Sequence, residues 1–162
     1  MRRPYYPWNL RALLEGRPTV GGLMDQCEEN YRYLLRLAPQ LKTMESRYVA
    51  LVDGHIALHL EILEQTRYTT LIHLTHHFDD GAGAHADPDA VLRVYHDALQ
   101  VEVLDLKQQA LPMVREPDMC SLQRKWRINL FLAKWLGYCC RQGYKFTEEQ
   151  QLEEVEVVEA CM

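Results

Sequence analysis

Hydrophobic positions in this chain change their period twice and their phase once, and each change marks an element boundary. After Thr19, a residue suited to cap a helix, Leu23, Met24, Cys27, Tyr31, Leu34, Leu35 and Ala38 recur at helical spacing until Pro39. Glu28, Glu29, Arg32 and Arg36 fall mostly on the opposite side. This predicts an amphipathic helix covering a sheet. The period then drops to two. Asp53-Gly54 reads as a two-residue hairpin loop that pairs Val52 with His55, Leu51 with Ile56 and Val49 with Leu58. That register puts Val49, Leu51, Ile56, Leu58, Leu60 and Ile62 on one face, and His55, Ala57, His59 and Glu61 on the other.

A third strand is expected over about 67–77, with Tyr68, Thr70, Ile72 and Leu74 on its apolar side. Asp79-Asp80-Gly81-Ala82-Gly83 and Pro88 mark residues 79–90 as a loop. In the next strand region the parity switches: Leu92 and Val94 are even, whereas Leu99, Val101 and Val103 are odd. A strand has a side-chain period of two, so a bulge or tight turn must lie between Tyr95 and Ala98. A long, mostly apolar helix is expected over about 120–142, with Gly143 as its C′ residue. Thr147 with Gln150 suggests a capping box for a short acidic helix. The order of helix, four to six antiparallel strands and helix predicts an α+β two-layer sandwich, a meander covered by an N-terminal and a long C-terminal helix.

Length sharpens the domain reading. A chain of 162 residues is of single-domain size and buries enough surface to fold without staples. Residues 1–18 read as an arm, 19–145 as the domain and 146–162 as an acidic tail. The arm carries Arg2, Arg3, Arg11 and Arg17 against Glu15, and its Leu10, Leu13 and Leu14 suit one helical turn docked on the body. The tail carries Glu148, Glu149, Glu153, Glu154, Glu156 and Glu159 with no Lys or Arg, and so holds most of the net charge of −5. No concentrated basic face appears, which argues against duplex nucleic acid as the ligand. No signal or membrane-spanning segment is legible. Five cysteines without a C-x-x-C spacing suit a reducing cytosol better than a disulfide framework.

The polar residues set in strand regions carry the candidate chemistry. Thr66-Arg67-Tyr68-Thr69-Thr70 and Arg93-Val94-Tyr95-His96-Asp97-Ala98 place guanidinium and imidazole groups where packing residues are usual. These motifs are matched by Cys27-Glu28-Glu29-Asn30-Tyr31 in the first helix, Val101-Glu102-Val103 in the following strand, and Lys125, Asn129, Trp135-Leu136 and Cys139 in the last helix. Together they resemble the YqiB-like proteins, a bacterial family of unknown function, over about residues 23–143. The resemblance supports the fold and supplies no activity.

Arg67, Tyr68, Arg93, Tyr95, His96, Glu102, Lys125 and Asn129 are the candidate ligand-binding residues. His96 and Asp97 are candidate catalytic residues only if a bulge brings both to one site. Arg67 and Arg93 could then clamp a phosphate or carboxylate while His96 acts as general base. The competing reading is a buried network in which Arg67 or Arg93 satisfies Asp97 or Glu102. Lys125 and Asn129, four apart, either bond backbone groups or line the same pocket. All seven histidines lie between 55 and 96, and one strand register sets His59 opposite His73. A solvated histidine face is nevertheless preferred to a metal site, and neither metal nor cofactor is expected. The leading expectation is a cytosolic binding or regulatory module for an unidentified protein or small anionic ligand, with self-association open. The alternative is an enzyme acting on a phosphorylated or nucleotide-like substrate. A single-strand RNA binder would need exposed aromatics beside the arginines.

Overall fold

In the computed structural model the described residues are 19–79, 84–107 and 121–152. Helix α1 spans Val20–Leu37, and its N-cap Thr19 accepts from the Gly22 amide at 3.0 Å. Strands β1 (Arg47–Ala50), β2 (Ala57–Gln65), β3 (Thr69–Asp79), β4 (Ala84–Tyr95) and β5 (Gln100–Lys107) follow, then helix α2 (Ser121–Gln142) and a two-residue β6 (Gln151–Leu152). The sheet is antiparallel with order β5-β4-β3-β2-β1-β6. Tyr48, Ala50, Leu58, Leu60, Ile72, Leu74, Ala90, Leu92, Val94 and Val101 form its buried face. They pack with Tyr31, Leu34 and Leu37 of α1 and with Leu132, Trp135 and Leu136 of α2. The fold is the expected α+β sandwich. Among the described residues no helix is long and apolar enough to cross a membrane.

The first hairpin departs from the expected register by one residue. Ala50 pairs with Leu58, and Tyr48 with Leu60. Asp53-Gly54 does turn the chain, with Gly54 at φ +76° and the His55 amide bonded to Val52 O at 3.0 Å. The ladder, however, starts only at Ala50, so the connection is wider than two residues. A one-residue slip exchanges the faces of a strand. Tyr48 and Ala50 therefore point inward, whereas Leu51 and Ile56 are 72% and 47% exposed in the loop.

Helix α1 likewise presents a different face from the one its hydrophobic pattern suggests. Gly22, Gln26, Asn30, Tyr31, Leu34 and Leu37 are buried, whereas Met24 is exposed. The cause is a second neighbour: α1 packs on α2 as well as on the sheet. Asn30 donates to the Asn129 carbonyl of α2 at 3.2 Å, and the Cys140 thiol donates to Tyr33 O at 3.5 Å. A Cβ on Gly22 would lie 2.7 Å from the Trp126 ring, so glycine sets how closely the helices approach.

Residues 84–90 belong to β4 and not to a loop; the tip at 80–83 lies outside the described residues. The parity switch is a tight turn: Tyr95 pairs with Gln100, and Leu99 adopts φ 55°. Gly143 follows α2 at φ +90°, as a C′ residue should. Past residue 145 the chain stays attached to the body. Phe146 is buried and its amide donates to Leu37 O at 2.7 Å. In place of a short acidic helix there is one 3-10 turn, Glu148–Gln150, and then β6 seals the edge of β1. The proposed arm and the rest of the tail lie outside the described residues.

Candidate functional site

The two strand motifs meet at one end of the sheet. The Tyr68 carbonyl accepts from the His96 amide at 2.8 Å, which fastens the β4–β5 turn to the β2–β3 turn. From that junction the flagged side chains diverge. Even-numbered β4 residues face the core and odd-numbered ones face outward. His96 continues the inward parity and is buried.

Its surroundings fix its protonation. Gln65 Nε2 donates to Leu41 O at 2.8 Å and to Met44 O at 3.1 Å, which leaves Oε1 as an acceptor for the Thr70 hydroxyl. With its proton committed, Thr70 Oγ1 accepts from His96 Nε2 at 2.7 Å. His96 Nδ1 then carries the lone pair and accepts from Tyr31 Oη at 3.3 Å. The chain Tyr31–His96–Thr70–Gln65 thus has one consistent direction. Burial, with a contribution from Lys42 and against Asp97, holds the His96 pKa below the ordinary histidine range, so the ring is neutral. Both ring nitrogens are occupied by protein atoms.

Asp97 is exposed and turns away to accept from the Ala98 amide at 2.9 Å. Residues adjacent on a strand point apart, and the tight turn does not bring this pair together. The arginines do not join them. Arg67 and Tyr68 occupy the exposed β2–β3 tip, outside any strand interior, with the guanidinium 5.2 Å from the Tyr68 ring centre. Arg93 lies on the outer face opposite Leu71 and Glu102. Neither arginine makes an ion pair with a described residue, and Glu102 instead accepts from Tyr95 Oη at 2.9 Å. The clamp-and-base constellation is therefore not assembled, and neither is the network with Arg67 or Arg93 neutralised by Asp97 or Glu102.

What does assemble is a groove of about 460 Å³. Its lining includes Leu23, Met24 and Cys27 of α1, Lys125 and Asn129 of α2, and Tyr95, Ala98, Gln100, Val101, Glu102 and Val103. Successive strand residues point to opposite faces, so a cavity touching Gln100 through Val103 in sequence runs along the strand's edge. Strand β5 is the terminal strand of the described sheet. Tyr95, Glu102, Lys125 and Asn129, flagged in three separate segments, meet here. Asn129 donates to Lys125 O at 2.8 Å and accepts from the Cys27 thiol at 3.6 Å, so it both bonds backbone and lines the groove. Burial and the Glu102 carboxylate push the Cys27 thiol up to about 11, against the pull of Lys125, so Cys27 stays protonated and is a poor nucleophile.

Sequence reasoning placed Cys27 in the core and missed Leu23, Met24 and Gln100 as groove residues. The signal available was the odd phase of Gln100 to Val103 on a terminal strand, which periodicity alone does not reveal.

The histidines divide between the two faces. On the outer face His59 lies opposite Thr75, not His73, and its ring centre is 4.7 Å from that of His77. His73 is held by Asp89, with Glu61 at 3.9 Å. Among the described residues no group of three or more His, Cys, Asp or Glu is placed to hold a metal. His76 is buried inside β3. Its ring lies against Trp135 and Tyr144, and its Nε2 is 3.8 Å from the Cys139 thiol. Cys27, Cys139 and Cys140 are free thiols.

The chain is 33% identical to the uncharacterized protein YqiB of Escherichia coli K12 over 130 residues, covering 78% of this chain and 91% of the relative. The YqiB proteins of the O6:H1 and O157:H7 strains match to the same extent. No solved structure matches. The model of a protein family of unknown function, DUF1249, matches residues 33–145, which span β1 to β5 and α2, and the chain belongs to that family.

Proposed function

We propose that this chain is a non-catalytic binding or regulatory module that holds a protein segment or small anionic ligand in the groove beside β5. The observation that carries this reading is the convergence of Tyr95, Glu102, Lys125 and Asn129, from three segments, on one open groove. Lys125 supplies an exposed cation on the α2 wall, and the apolar floor of Leu23, Val101 and Val103 supplies contact area. The free thiols favour the cytosol. The enzyme reading loses support because His96 has no free nitrogen with which to take a proton.

Native mass spectrometry of the protein purified from its own host, without added ligand, tests the proposal. Lys125→Glu should release the bound mass while stability changes by less than about 0.5 kcal/mol, as expected of an exposed substitution. A Lys125→Glu protein that keeps the bound mass of the wild type would sink the reading, whereas a wild-type protein that carries no small molecule directs the search to a polypeptide partner.

A further inference from the structure

Strand β4 pairs with one side of β5, and among the described residues no strand pairs with the other. An edge strand presents amide N–H and carbonyl groups in alternation along its unpaired side. A small anion accepts from the donors and leaves the acceptors unpaired, whereas a second backbone satisfies both. A bulge limits the length on offer. Val91 pairs with Asp105 and Leu92 with Val103, so Leu104 is an extra residue. The regular run next to the groove is residues 100–103, about 13 Å long.

The two sides of the groove differ in charge. Val101 and Val103 pair with the buried Val94 and Leu92 and share their inward face, whereas Glu102 pairs with Arg93 on the outer face. On the inner side, Leu23 and Met24 are apolar, and Lys125 is an exposed cation that makes no ion pair with a described residue. On the outer side, Glu102 is an exposed carboxylate. These residues disfavour a second copy as the occupant. Two-fold antiparallel pairing of residues 100–103 sets the two Glu102 carboxylates opposite or diagonal to each other. It also turns only valines inward, so nothing meets Lys125. We infer that the groove takes an extended peptide of another protein as a further strand on β5. Two of its side chains, two residues apart, turn inward: one is apolar and lies against Leu23 and Met24, and one is acidic and meets Lys125. The residue between them turns outward and is basic, against Glu102. The inference rests on the groove being the binding site, and it names the chemistry of the occupant.

Random peptides displayed on phage and selected on the immobilised full-length protein test it, with the Lys125→Glu protein selected in parallel. Enriched sequences should share an apolar and an acidic residue two apart, with Lys or Arg between them. A synthetic peptide of that sequence should bind the Lys125→Glu protein about ten-fold more weakly. N-methylation of one set of alternate amides should weaken binding by about ten-fold or more, and methylation of the intervening set should change it little, because only one set meets the neighbouring strand. Failure to enrich any peptide, enrichment that Lys125→Glu leaves unchanged, or equal effects of the two methylated sets overturns the inference. A native spectrum in which Lys125→Glu releases a small molecule, with no peptide enriched, ends the strand reading and keeps the groove as a ligand site.

Discussion

The His96 chain and the β5 groove are both built from polar residues in the same motifs, and they differ in what satisfies them. Around His96 every hydrogen-bonding atom has a protein partner: Tyr31 at Nδ1, Thr70 at Nε2, then Gln65 and two backbone carbonyls. In the groove, Lys125 and Glu102 are exposed, and among the described residues Glu102 accepts a hydrogen bond from the half-buried Tyr95. The first arrangement specifies a packed state. The second leaves charge facing solvent at the edge of a sheet. Polar residues inside a strand are thus no sign of a ligand until their partners have been counted.

Substitutions can break this contrast, and they are taken from the largest expected effect down. Thr70→Val keeps shape but strands the His96 Nε2 proton and the Gln65 Oε1 acceptor. A loss of about 2–4 kcal/mol in urea unfolding is expected. A loss below about 0.5 kcal/mol would show that the chain does not hold the fold.

Gly22→Ala pushes a methyl into the Trp126 ring, at 2.7 to 2.8 Å. Its gain in helix propensity is about 1 kcal/mol, whereas overpacking costs about 1–3 kcal/mol, so a small net loss with a shifted Trp emission is expected. An unchanged spectrum with higher stability would mean that the two helices part freely.

Acid gives the next effect. Burial is the leading cause that holds His96, His76 and His59 below the ordinary range. The unfolded chain then binds protons more tightly than the folded one, so stability is complete above about pH 6.5 and falls as pH drops toward the depressed folded values. Thermal melts at pH 7.5 and 5.0 should show that fall, and His96→Gln should reduce its slope. A slope unchanged by His96→Gln would remove His96 from the account.

The smallest effect belongs to the groove. Tyr95→Phe deletes one exposed bond to Glu102 and should cost no more than about 0.5 kcal/mol. A cost as large as that of Thr70→Val would erase the contrast.

Much of the fold was legible because local chemistry and tertiary packing agree. Thr19 and Gly143 mark their helix ends, and the parity switch before Gln100 marks its turn. The register of β1 was not legible. Asp53-Gly54 advertises a two-residue loop, yet Tyr48 buries a large ring and still bonds the Glu45 amide at 3.0 Å through its hydroxyl. Burying that ring inverts the strand. On α1, the buried Gln26 and Asn30 lie outside the expected apolar set, because a single-face pattern assumes one neighbour, and this helix has two. Arg67 and Arg93 were expected to gather around His96, but sequence could not say that a hairpin tip and an outer face would keep them apart from it.

The two-residue strand β6 has a consequence for how the protein is made. Its partner β1 forms early in the chain, whereas Gln151 and Leu152 leave the ribosome more than a hundred residues after Arg47. The same delay applies to α2, which covers the inner face of the sheet. A nascent chain that has completed β1 through β5 therefore carries an open edge and an apolar face covered only in part, by α1, until α2 has been made. That interval is when another unfinished copy or a chaperone would find it.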